Sequence, residues 1–277
     1  MVKKTVLLSA TMFATIFSSC EKIITVKIND IEKQYVIQGQ ITDTNDSCEV
    51  LVSTTMNIFD SSQFVGIGNA VITIDDNNGN IAPFVKSNSG NGVYKAKMKG
   101  IPGRTYSLEV QVGDNSFTAT STMPNKVLID SIFSSERIVL GKLRKFVTVA
   151  FKDPAKVKNQ YRFIQLIDGF LQTNIFVLDD KLVDGNYVFY ELFDYNIAGY
   201  TLKAEDYVQV RMRCIDFPNY MFWYSASQSS MGNQSGANPG NPQNNIQGGA
   251  LGYFSAHTNE LSKTITIPPI DTTMTGN

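Results

Sequence analysis

Thr105-Tyr106-Ser107-Leu108-Glu109-Val110-Gln111-Val112-Gly113-Asp114-Asn115-Ser116-Phe117-Thr118-Ala119-Thr120-Ser121-Thr122 is the stretch that decides the fold class. Tyr106, Leu108, Val110 and Val112 alternate with polar residues, the period of a strand with one buried face. The Gly113-Asp114-Asn115 turn follows, and residues 116–122 read as the return strand. Working outward, 34–42, 49–55, 70–75 and 92–97 also read as short strands. The run Asp75-Asp76-Asn77-Asn78-Gly79-Asn80 is a hairpin signal, because Asn-Gly tolerates the positive φ of a type I′ turn. Six or seven short strands at this spacing predict a β-sandwich of immunoglobulin-like size over 34–124.

Downstream of Met123-Pro124-Asn125 the pattern stays β-rich, and a second β-rich domain is expected over 125–268. Its strands are expected at 126–133, 145–152, 160–168, 174–178, 186–192, 207–215, 250–255 and 264–267. Composition then shifts, since no Asp, Glu, Lys or Arg occurs between Asp216 and Glu260. The run 219–230 has no internal Gly or Pro. Tyr220, Trp223 and Tyr224 fall at i, i+3 and i+4, which predicts one short helix. A long Gly/Asn-rich loop, 231–249, follows it, and loops of that length are functional or disordered. Residues 269–277 read as a tail. The fold class expected is all-β.

The N-terminus has the three-part layout of an export signal. Lys3 and Lys4 precede an uncharged apolar stretch, 5–17, and then come Ser18, Ser19 and Cys20. The apolar part is about 13 residues, short of the roughly 20 that span a bilayer. Phe17-Ser18-Ser19-Cys20 resembles the bacterial lipobox, with Phe17 where Leu is more usual. The expected reading is a signal peptide over 1–19, lipidation of Cys20, and a tether over 20–33. Each buried methylene contributes roughly 0.8 kcal/mol, so several acyl chains hold a protein on a membrane where one does not.

Cleavage removes Lys3 and Lys4 from 24 basic side chains, leaving 22 against 25 acidic ones, a formal charge of −3. That charge speaks against a nucleic-acid partner, which requires a basic face. Two further cysteines remain, Cys48 and Cys214. The expected compartment permits a disulfide between them. Two buried free thiols are the alternative, and the one expected first.

Candidate chemistry is sparse. His257 is the only histidine, and a Ser-His-Asp triad has to be built around it. No G-x-S-x-G elbow is present, so His257 reads as a strand-end or surface residue. One histidine and two distant cysteines make a poor zinc set. The run from Asp75 lacks the Gly and Glu that an EF-hand requires at its sixth and twelfth positions. A pair of carboxylates for glycoside hydrolysis assembles from distant strands and has no sequence signature. No catalytic residue, metal site or cofactor is therefore assigned. Two features read as contact surfaces: the aromatic cluster around Tyr220, Trp223 and Tyr224, which equally suits packing of the helix on the sheet, and the uncharged loop carrying Asn238, with Asn245 near its end.

Several segments also resemble known families. Gly39-Gln40-Ile41-Thr42-Asp43, Asn69-Ala70-Val71-Ile72-Thr73-Ile74-Asp75, Asn91-Gly92-Val93-Tyr94 and Gly100-Ile101-Pro102-Gly103-Arg104-Thr105-Tyr106 resemble prealbumin-like and carboxypeptidase-regulatory-like sandwiches. Nearly everything after Cys20 resembles a Bacteroidota lipoprotein family, domain of unknown function 4249. The carrying residues are Glu21-Lys22, Phe151-Lys152-Asp153-Pro154 before Tyr161-Arg162, the Tyr220 to Tyr224 cluster, Asn238-Pro239, Asn245-Ile246 and Gly249-Ala250-Leu251-Gly252-Tyr253-Phe254-Ser255-Ala256. The resemblance implies an outer-membrane lipoprotein encoded beside a TonB-dependent receptor. Many such proteins carry an acidic run after the cysteine, whereas here Glu21-Lys22 is followed by Ile23 and Ile24. Surface exposure is expected ahead of the periplasmic face. The expected function is a non-enzymatic accessory protein of a TonB-dependent uptake system. A structural or adhesive surface lipoprotein is the alternative, with a hydrolase using a cryptic carboxylate site behind it.

Overall fold

Strand-forming sequence dominates, and the described residues form three sheets. The structure, a computed structural model, describes residues 32–44, 46–56, 65–88, 90–193, 202–230, 240–259 and 262–269. Cys20 and Asn238 lie outside them. Among the described residues no helix is long and apolar enough to cross a membrane.

The first half supplies β1 (Tyr35–Thr42), β2 (Cys48–Thr54), β3 (Val71–Asp75), β4 (Ile81–Pro83), β5 (Val85–Lys86), β6 (Val93–Ala96), β7 (Thr105–Val112) and β8 (Asn115–Thr122). The second supplies β9 (Ser131–Val139), β10 (Lys142–Lys152), β11 (Gln160–Ile167), β12 (Phe170–Leu171), β13 (Phe176–Asp179), β14 (Tyr187–Glu191) and β15 (Tyr207–Ile215). Helix α1 (Phe217–Ser230) comes next, then β16 (Ile246–Gln247), β17 (Leu251–Asn259) and β18 (Lys263–Thr266). The all-β expectation therefore holds, with one α-helix among the described residues.

The opening stretch forms the expected β7–β8 hairpin, but with a two-residue loop: Asn115, read as part of the turn, pairs opposite Val112 across Gly113 and Asp114. Gly113 takes a positive φ of 56°, which a two-residue hairpin loop requires at its first position. The next hairpin departs from expectation. Instead of a tight Asn78-Gly79 turn, β3 and β4 are joined by residues 76–80, with positive φ at Asn77 and Gly79. The reason is Asp76, whose buried carboxylate accepts from the backbone N–H of Asn78 (2.9 Å) and Asn80 (3.1 Å). It also accepts from the Asn80 side chain at 2.8 Å and from Arg104. A carboxylate collecting that many donors wraps the chain around itself.

Alternation buries one face of each sheet. In the first core, Ile37 and Ile41 of β1, Val50 and Val52 of β2 and Tyr94 of β6 meet Ile74 of β3, Tyr106 and Leu108 of β7 and Phe117 of β8. In the second, Val147, Val149 and Phe151 of β10 meet Tyr161 and Phe163 of β11 and Val210 and Met212 of β15.

The division between the two β-rich regions differs from the sequence reading. Strand β17, expected after the boundary at residue 124, pairs parallel to β1 along its length, from Val36 opposite Leu251 to Thr42 opposite His257. Phe254 and Ala256 therefore belong to the first core. The far end of β17 pairs with β15, so one ten-stranded sheet runs through both cores in the order β12-β11-β15-β17-β1-β2-β6-β5, with β13 paired to β11 and β18 to β15 off this path. Gly252 permits the parallel approach: its φ is +111°, and a Cβ there would stand 1.9 Å from the Ile37 carbonyl oxygen. Strand β16 likewise joins β8.

The two inner cysteines are free thiols in different cores. Cys48 Sγ donates to the Ala96 carbonyl at 3.4 Å, and Cys214 Sγ accepts from the Val127 N–H at 3.3 Å. Burial pushes the Cys48 thiol up to about 11, which leaves it protonated and unreactive.

Candidate functional site

Helix α1 starts where Asp216 can cap it. The Asp216 carboxylate accepts from the Asn219 N–H at 3.2 Å and its carbonyl from Tyr220 N–H at 2.9 Å, the arrangement of an N-cap. Pro218 sits in the first turn, where no intrahelical donor is missed. Asn219, fully buried, fixes the helix to the sheet: its amide donates to Asp216 at 2.6 Å, to the Phe254 carbonyl at 2.9 Å and to Ser121 at 3.3 Å. Asp216 also accepts from Ser121 Oγ at 2.8 Å and Thr122 N–H at 3.0 Å.

The aromatic cluster then separates onto two faces, as 3.6-residue periodicity dictates. Phe222 and Trp223 face the sheet and pack against Tyr253 of β17, with ring centroids 4.8 and 5.0 Å away. The guanidinium of Arg162 on β11 lies 3.2 Å over the Trp223 ring. Phe217, Tyr220 and Tyr224 form a stacked column on the other side, with centroids 6.0 and 5.8 Å apart. Phe217 and Tyr224 are exposed. Of the residues singled out on sequence, Tyr220 and Tyr224 therefore remain available as contacts, while Trp223 is half-buried in packing. Asn245 does not face a partner. Its amide donates to the Thr120 carbonyl (3.0 Å) and the Phe254 carbonyl (2.8 Å) and accepts from Phe254 N–H (3.0 Å), tying β16 to β8 and β17.

Beside the column is a cavity of about 750 Å³, lined by Lys156, Val157, Lys158, Gln160, Asp179, Asp180, Lys181, Asp184 and Phe217. A neighbouring recess of about 410 Å³ adds Val177, Leu178, Leu182 and Tyr220 and shares Asp179, Lys181 and Phe217 with the first. The two form one groove along α1. Its far wall is a 3-10 turn, Asp180–Leu182, capped by the Asp179 carboxylate, which accepts from Lys181 N–H at 3.0 Å. Leu182 projects from this turn 90% exposed.

Asp180 and Asp184 of the lining, together with the fully buried Asp153, offer ligand oxygens within 4.8 Å of one another. The sequence reading assigned no metal site, and this triad has no short-range signature. Its oxygens already have protein donors. Asp153 accepts from Tyr161 OH and from Gly185 N–H at 3.0 Å. Asp180 accepts from Asn159 N–H at 2.6 Å and Asp184 from Lys156 N–H at 2.7 Å. Burial raises the Asp180 carboxyl above the ordinary carboxylate range; the Asn159 N–H opposes that rise, and Asp153, Asp179 and Asp184 add to it. Burial and the Asp153 carboxylate likewise raise the Tyr161 hydroxyl, so it stays a donor. The triad serves to hold the loops that shape the cavity.

An apolar stacked wall opposite lysine and aspartate walls is the layout of a binding groove. The protein is thus an all-β molecule with a ligand- or partner-sized groove beside its helix. It belongs to the family described as domain of unknown function (DUF4249), whose model matches residues 21–263. No curated protein matches the chain. A solved chain titled cytokine receptor complex, crystal form 1A, is similar at 9% identity with a TM-score of 0.27, covering 86% of this chain and 99% of that one. A likeness at that score carries no argument.

Proposed function

We propose that this protein is a lipid-anchored, non-enzymatic accessory protein of an outer-membrane TonB-dependent uptake system in a Bacteroidota cell. Acyl chains on Cys20 hold it at the outer surface, and its first sandwich is of the prealbumin-like kind. The groove beside α1 contacts the receptor or captures the receptor's substrate. The observation that carries this reading is the stacked column Phe217, Tyr220 and Tyr224 facing solvent beside that groove. Exposed aromatics mark contact surfaces, and stacking fixes the rings beforehand, so little side-chain entropy remains to be lost on binding.

Tagged protein recovered from detergent-solubilised outer membranes should bring a β-barrel receptor with it; recovery alone contradicts the reading. Cys20→Ala should move the protein from the membrane fraction to the soluble one.

A structural or adhesive role is the second reading. It is favoured by the outer face of the β14-β10-β9 sheet, where Phe189 touches Phe133 (6.3 Å) and Tyr187 (5.2 Å) and all three are exposed. Adhesion that depends on Phe189 and leaves receptor recovery unchanged would favour it.

A further inference from the structure

The sheet-facing side of α1 covers a second constellation, distinct from the groove. Arg162 of β11 and Arg213 of β15 are direct cross-strand partners. Such partners project from the same face with Cβ atoms about 5 Å apart. Both are half-buried. Among the described residues neither takes part in a salt bridge. Two guanidiniums this close repel each other, and burial raises that cost. Both are pushed down to about 10. For Arg162 the causes are burial and then Arg213; for Arg213 they are burial and Arg211, with Tyr253 opposing. Among the described residues, no carboxylate figures in the shift of either.

The pair is held in place with its hydrogen-bonding edges only partly filled. The Arg162 guanidinium lies 3.2 Å over the Trp223 ring and donates to Tyr253. Stacking uses the face of a guanidinium and leaves the in-plane N–H fork available. Arg213 donates through Nε to Asn259 Oδ1 at 3.0 Å, which leaves its two terminal nitrogens. The acidic residue behind Asn259 is Asp43, which accepts from Asn259 N–H and pairs with Lys126 at 2.5 Å.

His257 supplies a second, independent observation. It shares a face of β17 with Tyr253, Ser255 and Asn259 by strand alternation, and its charged neighbours are Arg213 and Arg162. It is 2% exposed, with Nδ1 3.1 Å from Ser255 Oγ. Its Nε2 is buried with no hydrogen-bond partner. A buried polar atom without a partner is rare and costs about 1–3 kcal/mol.

We propose that Arg162, Arg213 and His257 form a binding site for an oxyanion, the carboxylate or phosphate group of a small ligand, with Trp223 and Tyr253 as its aromatic wall. Such a group accepts from both guanidinium forks, removes their mutual repulsion, and gives His257 Nε2 its missing partner. Two forks on adjacent strands are the arrangement that recognises carboxylate and phosphate. The site does not rest on the accessory-protein reading, since it is defined by these side chains alone.

Trp223 is the only tryptophan, so intrinsic fluorescence of the full chain reads the site directly. Titration with sodium glucuronate, with inorganic phosphate and with neutral glucose separates the sources. A saturable change with glucuronate alone identifies a carboxylate ligand, with phosphate alone a phosphate ligand, and with both a general oxyanion site. Arg213→Gln should weaken that binding about tenfold or more. The same loss is expected for Arg162→Gln, read by calorimetry because that change alters the fluorescence itself. If either variant fails to fold by circular dichroism, His257→Gln gives the second comparison. No saturation with either anion, equal binding of glucose, or unchanged affinity in the folded variants would overturn the proposal.

Discussion

Both cores bury aromatic side chains, Phe151, Tyr161 and Phe163 in the second among them, but among the described residues only the second region also displays them. In the first, Tyr94, Tyr106, Phe117 and Phe254 are buried. Among the described residues, the exposed aromatics are Phe133, Phe170, Tyr187, Phe189, Tyr207, Phe217 and Tyr224, and all of them follow Pro124. Both cores are built by the same alternation, so the difference lies in what their outer faces present. The first carries turns and strand faces whose exposed apolar residues are aliphatic, such as Val71, Ile81 and Val85. The second also carries the groove beside α1, the aromatic face of the β14-β10-β9 sheet and the paired arginines. The contact surfaces proposed above lie in the second, and β17 and Asn219 join the two mechanically.

That comparison breaks most readily at the shared strand. Gly252→Val puts side-chain atoms into the Ile37 carbonyl at a φ reserved for glycine. It should cost more than about 4 kcal/mol and unfold both cores together. Calorimetry showing the second core intact in this variant would separate the two as independent units.

A smaller effect tests the first core alone. Asp76→Ala removes the acceptor that organises residues 76–80 and should cost about 2 kcal/mol. The Asn80 side chain, above all, lowers the Asp76 carboxyl below the ordinary carboxylate range, with the backbone of Asn80 and Asn78 and the charge of Arg104 helping. Its stability contribution is therefore present above about pH 4 and lost as pH falls further. Wild-type and variant melting temperatures should converge towards pH 3.

A third effect belongs to the second region. Burial, then Arg213 and Arg162, hold His257 well below the ordinary histidine range. The unfolded chain takes a proton on it below about pH 6.5, and the folded chain does not. Stability should then fall by about 1.4 kcal/mol per pH unit under pH 6.5. His257→Gln should flatten that slope, and an unchanged slope would mean that another group sets it.

Much of the scaffold is legible because its signals are local. Alternation in β7 and the Gly113-Asp114 turn are written in consecutive residues, and so is the aromatic spacing of α1. What escapes sequence reading is long-range. Nothing near Leu251 says that β17 lies parallel to β1, because its partner is more than 200 positions away. The same holds for the site. Tyr220 and Tyr224 are visible as a helical aromatic pattern, but the lysine and aspartate walls come from the β10–β11 connection and the 3-10 turn. Arg162 and Arg213 meet only through strand pairing. His257, expected at a strand end or surface, is buried because its face of β17 carries Ser255, Asn259 and the arginine pair rather than solvent. Asn245 reads as a loop amide free for a partner and is an internal tie, which only the position of Phe254 reveals.

The central claim is that the solvent face of α1 makes contacts without holding the fold together. Its most direct test compares the wild type with the triple change Phe217→Ala, Tyr220→Ala, Tyr224→Ala in two measurements on the same samples, melting temperature and receptor recovery from detergent-solubilised outer membranes. Exposed side chains such as Phe217 and Tyr224 contribute within about 0.5 kcal/mol each to stability, so the account predicts a shift of a few degrees and loss of the co-recovered β-barrel receptor. Receptor recovery undiminished in the folded triple variant, or absent from the wild type, would contradict it.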